Sequence, residues 1–381
     1  MQVVTGKTNG GPVVRARIWR RGAIGLAMAC CALFLADAAV FRSGLYFRIV
    51  ETDSAAGFFE REMRVELARP RDGRKQFLIV GDSRAQGLRP RLAEQASQHL
   101  GIAFANVAVL GSTPRGWYYL LRELDPHANR YHALIFGVDN FDDNNDNSRA
   151  ESTAEVEMPV SSLHLGDLFD YPWTFREPGY RRDAFLECVL KGTAYKKDFQ
   201  ELLSHPLERA RKAAASRRDY VRFMWDYDGA DWSLAGLEVD WQTRTLKFPE
   251  RVDDTTRAAL LGRVKNPVQP DDGWKAAMRH EWLGRIAKHY KGSRTLLVFV
   301  RLPCTPIPLP SELQPVPIRG VLRDLGASQP NVMLLDEHLF DHLERPEYIR
   351  DYTHLNAAGA AAATKILAGQ LPLILARIGA D

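Results

Sequence analysis

The chain reads as an α/β protein built on a mostly parallel sheet and carried behind one membrane-inserted helix, and three observations predict this. From Phe77 onward, short apolar runs alternate with longer amphipathic ones, the pattern of strands joined by crossover helices. Nearer the N-terminus, an apolar stretch from Gly22 to Val40, broken only by Asp37, follows Arg15, Arg17, Arg20 and Arg21. The 381 residues, 45% of them hydrophobic, leave ample material for a core, in one large domain or two ordinary ones.

Taken in order, the first element is Gly22–Val40, whose length fits a spanning helix of roughly 20 apolar residues. The arginines before it predict that this end stays in the cytoplasm. The rest of the chain is then expected outside a bacterial inner membrane, in the periplasm. A cleaved signal peptide also fits, because Ala36-Asp37-Ala38 resembles an A-x-A cleavage site; the retained single-pass anchor is the favoured reading, and both export the remainder. Residues 1–21 form a basic cytoplasmic tail, 22–40 the anchor and 41–74 a juxtamembrane connector. Cys30 and Cys31 read as small apolar residues of the helix, outside any convincing lipoprotein context.

Residues 75–381 carry the main domain. A strand at Phe77–Val80 is followed by a helix over about Pro90–Leu100, an apolar run Ile102–Leu110, a helix over Arg115–Leu124 and a strand at Ala133–Phe136. The rhythm returns with a helix at Trp274–Tyr290, a strand at Thr295–Val300, a helix near Ile318–Leu325, a strand at Val332–Leu335 and a closing helix Ala357–Ile378. Between the halves, about 144–272 lacks this alternation and is rich in Arg, Asp, Trp and Tyr, so it reads as an insertion over the sheet. Pro303–Pro317 is a proline-rich loop excluded from regular structure.

The formal charge of +4 is small and its basic residues are spread along the chain, which argues against a nucleic-acid-binding protein. Cys188 and Cys304 are too few to show a disulfide framework, and no pairing follows from them. No C-x-x-C motif or His/Cys cluster suggests a metal, and nothing suggests a cofactor.

The chemistry is concentrated in two places. Gly81-Asp82-Ser83 directly follows the first strand, and Asp351-Tyr352-Thr353-His354 precedes the closing helix. A serine hydroxyl is a poor nucleophile at neutral pH, so acyl transfer needs an imidazole within hydrogen-bond reach and a carboxylate that holds its tautomer. Ser83, His354 and Asp351 supply those three groups. In open α/β sheets the ligand crevice lies beyond the C-terminal ends of the strands, and Ser83, Gly111 and Asp139 each come just after an apolar run. The bland reading is a tight turn at Gly81-Asp82-Ser83 and a surface pair at Asp351 and His354. Asp336, after another strand, is the alternative acid.

These motifs resemble the SGNH or GDSL hydrolase superfamily, whose members place a nucleophilic Ser in a Gly-Asp-Ser block, a Gly and an Asn in two later blocks, and an Asp-x-x-His near the end. The resemblance covers roughly residues 75–143 and 290–375. It implies a three-layer, flavodoxin-like sheet with an inserted cap region. It implies Ser83 as nucleophile, Asp351 and His354 as acid and base, and Gly111, in Asn106-Val107-Ala108-Val109-Leu110-Gly111, as the oxyanion-hole glycine beside the Ser83 N–H. One block departs from the pattern: the family reads Gly-x-Asn-Asp, whereas this chain has Gly137-Val138-Asp139-Asn140. An ionised Asp139 accepts hydrogen bonds and cannot donate to an oxyanion, so either Asn140 turns inward or the backbone N–H groups act alone.

An N-terminal anchor before such a domain resembles the cell-envelope O-acyltransferases, such as the alginate O-acetylation proteins and the D-alanyl transfer protein of teichoic acid synthesis. That resemblance implies a membrane-bound O-acyltransferase as partner. The function expected is therefore O-acyl transfer, with acetyl as the expected group, to a cell-surface or secreted polysaccharide. A carbohydrate esterase with the same triad, or a non-catalytic polysaccharide-binding or assembly protein, are the alternatives.

The remaining features divide between site and scaffold. Arg84 follows the nucleophile and Arg115 lies four residues after Gly111, so each is placed either to bind an anionic or hydrogen-bonding substrate or to form a surface salt bridge. The acidic run from Asp139 to Asn147 fails the EF-hand pattern, with Asn147 at the glycine position and Thr153 at the bidentate Glu position, and reads as a solvated loop. Trp173, Trp225, Trp232, Trp241, Trp274 and Trp282 lie in or just after the insertion, placed either to stack on sugar rings or to fill a core.

Overall fold

The computed structural model describes residues 12–49, 54–143, 151–212, 231–267, 274–314 and 318–379. Its centre is a five-stranded sheet of β1 (Lys75–Val80), β2 (Ile102–Asn106), β3 (Ala133–Val138), β6 (Leu296–Arg301) and β7 (Val332–Leu334), in the order β2-β1-β3-β6-β7. Every pairing in it is parallel. A separate antiparallel hairpin of β4 (Glu238–Asp240) and β5 (Thr245–Lys247) lies in the insertion.

The strands are apolar along their whole length because both faces are covered. Phe77, Ile79, Phe104, Ile135, Val298 and Val300 point to one side, where Ala363, Leu367, Leu371 and Ile374 of helix Ala357–Ile378 meet them. Leu78, Val80, Leu134, Phe136, Leu297 and Phe299 point to the other, against Leu120, Leu121 and Leu124 of helix Pro114–Leu124 and Leu283 and Ile286 of helix Trp274–His289. Helices on two faces make three layers. The order of strands reverses direction between β1 and β3, and in such sheets the loops leaving those two strands flank the ligand crevice.

Most expected elements are present, with shifted ends. The run Ile102–Leu110 is strand only to Asn106; the Asn106 side chain bonds to loop backbone, and Val107–Leu110 follows as a largely buried loop. The first crossover helix ends at Ala96 and continues as a 3₁₀ turn to Leu100. The helix expected from Ile318 starts at Val321, after Gly320 at its N-cap. There the backbone carbonyl of Phe141 lies so close that a Cβ has no room.

Among the described residues the insertion contributes no strand to the main sheet, and it has two unlike parts. Its first part, with helices Pro178–Val189 and Lys196–Ser204, builds a third core cluster from Tyr171, Phe175, Ala184, Cys188 and Tyr195 together with Tyr119 and Trp282. Its second part, the hairpin and helix Asp254–Lys265, packs on the sheet face covered by Ala357–Ile378. Trp282 is therefore a core residue, while Trp173 and Trp232 are exposed. Trp225 and residues 144–147 of the acidic run lie outside the described residues.

Helix Pro12–Asp37 runs on into a π-helical turn Ala38–Arg42. Within it, the 24 residues Trp19–Arg42 are long and apolar enough to cross a membrane, as an anchor or signal sequence does. Helix Ala357–Ile378 passes the same test, but its apolar stripe is spent on the sheet. The lone acid of the N-terminal stretch has a structural explanation. Asp37 accepts hydrogen bonds from the backbone N–H groups of Lys191 (3.0 Å) and Gly192 (2.7 Å). Arg42 donates to the carbonyls of Cys188 (2.7 Å) and Val189 (3.1 Å), satisfying the end of helix Pro178–Val189. The Phe41 ring stacks on Tyr195 with centroids 5.4 Å apart. All four cysteines are free.

Candidate active site

The loop after β1 holds Ser83 through its backbone. A turn bond from Ala85 N–H to the Asp82 carbonyl (3.1 Å) closes the Gly81-Asp82-Ser83 bend. At Gly81 a Cβ would overlap the Cβ of Ala85, so the bend requires glycine there. The Gly81 carbonyl accepts from the N–H of Val109 (3.0 Å) and from Ser112 Oγ (2.9 Å), and Trp117 Nε1 donates to that same Oγ (2.8 Å). Asn106 Nδ2 donates to the carbonyls of Ala85 (2.8 Å) and Leu88 (2.9 Å), while its Oδ1 accepts from Ala108 N–H (2.9 Å). The loops after β1 and β2 are thus one hydrogen-bonded unit.

His354 arrives from the opposite end of the chain on an equally constrained loop. Ile349 and Leu355 bridge across it, and Arg350 N–H donates to the His354 carbonyl (2.9 Å). Asn356 then caps helix Ala357–Ile378, its side chain accepting from Gly359 N–H (2.9 Å). This places His354 Nε2 2.7 Å from Ser83 Oγ and its Nδ1 2.8 Å from Asp351 Oδ2. Asp351 Oδ1 accepts from the N–H groups of Thr353 and His354, each at 2.8 Å. Burial alone would raise the Asp351 pKa, but the hydrogen bond and charge of His354 and these two backbone N–H groups outweigh it and hold the carboxyl below its ordinary value. An ionised Asp351 requires the proton on Nδ1, leaving Nε2 free to accept from Ser83. Asp336, by contrast, is exposed and accepts from the N–H of His338 in its own turn.

Gly111 follows β2 in the left-handed region, φ +72°, a conformation that favours glycine. Among the described residues, neither its N–H nor that of Ser83 has a hydrogen-bond acceptor within the protein. Both are donors available to an oxyanion.

The inverted Asp139-Asn140 pair is explained by Arg84. Its guanidinium forms a fork on Asp82, with Nη2 2.6 Å from Oδ2 and Nε 3.2 and 3.1 Å from the two oxygens, and on its other side Nη1 pairs with Asp139. Burial would lower the Arg84 pKa, but Asp139 and Asp82 together push it well above its ordinary value. The same ion pairs, with a contribution from His354, bring Asp82 below the usual range against its burial. A carboxylate at position 139 therefore neutralises a largely enclosed cation beside Ser83. Asn140 faces Arg279, which donates to its Oδ1 (2.9 Å) and to its backbone carbonyl (3.0 Å).

The two arginines picked from sequence have different fates. Arg84 lies beside Ser83. Arg115 does not reach the site's surface, its side chain being 1% exposed. It donates to the Thr174 carbonyl (3.0 Å), pairs with Glu155 (3.3 Å) and lies 3.9 Å over the Phe175 ring, so it ties the insertion to helix Pro114–Leu124.

No family model and no curated protein matches this chain. The chemistry is therefore argued from the geometry: a serine, an imidazole and a carboxylate in one hydrogen-bonded line, with two backbone donors nearby. Sequence reasoning missed Asn106, Ser112, Trp117 and Arg279. The available signal was a polar residue, Asn106, ending an otherwise apolar buried strand, where an unpaired amide is costly and so must have backbone to satisfy. Trp232 also gained a position: its Nε1 donates to the Arg350 carbonyl (3.2 Å), so this 63% exposed ring stands beside the loop carrying Asp351 and His354.

Proposed function

We propose that this protein is a membrane-anchored serine O-acyltransferase of the SGNH type, with its domain outside the cytoplasmic membrane, transferring acetyl groups to polysaccharide hydroxyls. The observation that carries the reading is the continuous line Ser83 Oγ, His354 Nε2, His354 Nδ1, Asp351 Oδ2, with both links under 3 Å. In the first half-reaction His354 Nε2 takes the Ser83 proton as Oγ attacks the acyl carbonyl. The N–H groups of Ser83 and Gly111 receive the developing oxyanion. The intermediate collapses as His354 returns the proton to the leaving group, which departs with the electron pair of its bond to the carbonyl carbon. A sugar hydroxyl then repeats the sequence on the acyl-Ser83 ester and regenerates the free serine. Asp351 holds the imidazole tautomer throughout.

The N-terminal helix is read as a retained anchor, because Asp37, at the centre of the A-x-A pattern, accepts from the N–H groups of Lys191 and Gly192 in the insertion, contacts that cleavage after Ala38 would remove. A membrane-bound O-acyltransferase as donor partner is part of the same proposal and rests on the resemblance alone.

The test incubates the full-length protein in detergent with an activated acetyl ester and follows mass by intact-protein spectrometry. An acetyl adduct that disappears in Ser83→Ala and slows in His354→Ala supports the triad. Transfer of that acetyl to an added oligosaccharide, against release as free acetate, separates transferase from esterase. Polysaccharide binding without any adduct or ester cleavage would replace both by a non-catalytic role.

A further inference from the structure

The joint between the N-terminal helix and the insertion places a second surface at the membrane. Trp19 and Asp37 are eighteen residues apart, so at 1.5 Å per residue the helix between them covers about 27 Å, close to the roughly 30 Å hydrocarbon core. Asp37 to Arg42 then lies in the headgroup layer, and so does what is bonded to it: the Lys191–Gly192 turn on Asp37 and the end of helix Pro178–Val189 on Arg42. Helix Lys196–Ser204 begins one residue after Tyr195, whose ring packs against both Phe41 and Tyr46. Its inner side is set by buried Asp198, paired with Arg209, and by Leu202 packed on the third core cluster.

The adjoining side of this helix, about 100° round from Asp198 and Leu202, carries Phe199, 42% exposed, and Leu203, 68% exposed, in line with Lys196. Spacings of three, four and seven put these residues on one face. A short helix with a basic start and large apolar side chains facing out has the composition of a helix lying in a bilayer interface, its lysine near lipid phosphates. We propose that this face of Lys196–Ser204 is embedded in the headgroup region of the same membrane that the N-terminal helix crosses. The occupant is lipid, since the helix starts beside Tyr195, whose ring packs on Phe41 and Tyr46 at the span's exit. The inference rests on the anchor reading and is independent of the acyl-transfer chemistry.

The experiment places the photocrosslinker p-benzoylphenylalanine at Phe199, Leu203, Leu26 or Gln242, one at a time, in the full-length protein in nanodiscs of phosphatidylethanolamine and phosphatidylglycerol. Leu26 reports the span; Gln242, on the β4–β5 hairpin at the far face of the sheet, reports the aqueous background. Lipid adducts at positions 199 and 203 at least tenfold above position 242 are expected. Adducts at 26 but only background at 199 and 203 would leave the anchor in place and overturn the embedded face. Protein adducts at 199 and 203, to a second copy or another chain, would overturn lipid as the occupant. No lipid adduct at 26 would sink the anchor reading and this inference with it.

Discussion

Replacing Asp351 with Asn separates the two jobs of this carboxylate. Oδ1 accepts from two backbone N–H groups and Oδ2 faces His354 Nδ1. In Asp351→Asn the amide oxygen keeps the backbone pair, while the NH₂ group points at Nδ1. Two donors cannot share one hydrogen bond, so the imidazole takes the tautomer with its proton on Nε2, the atom that must accept from Ser83 at 2.7 Å. In serine triads this change costs about 10⁴ in rate, or about 5.5 kcal/mol of transition-state stabilisation. The fold should survive, with a Tm within about 2 °C of the parent. Asp351→Ala loses the same rate and also the Oδ1 acceptor of two backbone N–H groups, bonds worth about 1 kcal/mol each, so its Tm should fall by several degrees. Adduct formation on Ser83, timed by intact mass, gives the rate, and differential scanning fluorimetry gives the Tm. An Asp351→Asn protein that acylates within tenfold of the parent would refute the assignment of Asp351 as the orienting acid.

Three further outcomes follow from the geometry. Asp139→Asn removes one of two anions on the buried Arg84 guanidinium and should lower stability by about 1–3 kcal/mol; a double-mutant cycle with Arg84→Ala, read by chemical denaturation, should show coupling of similar size. Glu187, buried near Glu157 and Asp183, has its pKa pushed up to about 9 by burial first and those charges second. A raised acid contributes stability that is present below the unfolded value near 4.5 and lost as pH rises toward 9, about 3 kcal/mol of it by pH 7. Glu187→Gln should therefore raise the Tm at pH 7 and leave it unchanged near pH 4.5, and equal gains at both pH values would contradict this. Trp232→Ala should raise the KM for an acceptor oligosaccharide about tenfold while the rate of Ser83 acetylation by a small activated ester stays constant; a slowed first step would mean that the ring supports the His354 loop instead.

How much of this was legible depends on how local each signal was. The sheet announced itself because strands covered on both faces must be apolar throughout, so Phe77–Val80 and Leu296–Val300 stood out. That Ser83, Asp351 and His354 come together was readable because each sits at an element boundary where turn chemistry restricts the choice. The fate of Arg115 was not readable: whether an arginine after a loop glycine faces a ligand or a core is decided by Glu155, Thr174 and Phe175, up to 60 residues away. The Asp139-Asn140 inversion looked like a defect because its counter-charge, Arg84, was weighed on its own and not as a pair. In and just after the insertion, Trp and Tyr residues carry no period that tells a core ring such as Trp282 from an exposed one such as Trp232.

The joint at Asp37 and Arg42 also sets a length scale. A domain on a flexible tether sweeps a volume that grows with linker length, and its active site meets the surface at every angle. Here the insertion is bonded to the helix within its last turns, so on the proposed anchor reading Ser83 is held at one stand-off and one tilt above the lipid. On the proposed acyl transfer, acceptor hydroxyls at that height would be sampled continuously and those nearer or farther passed over, so the distance from the membrane would itself select which sugars are modified.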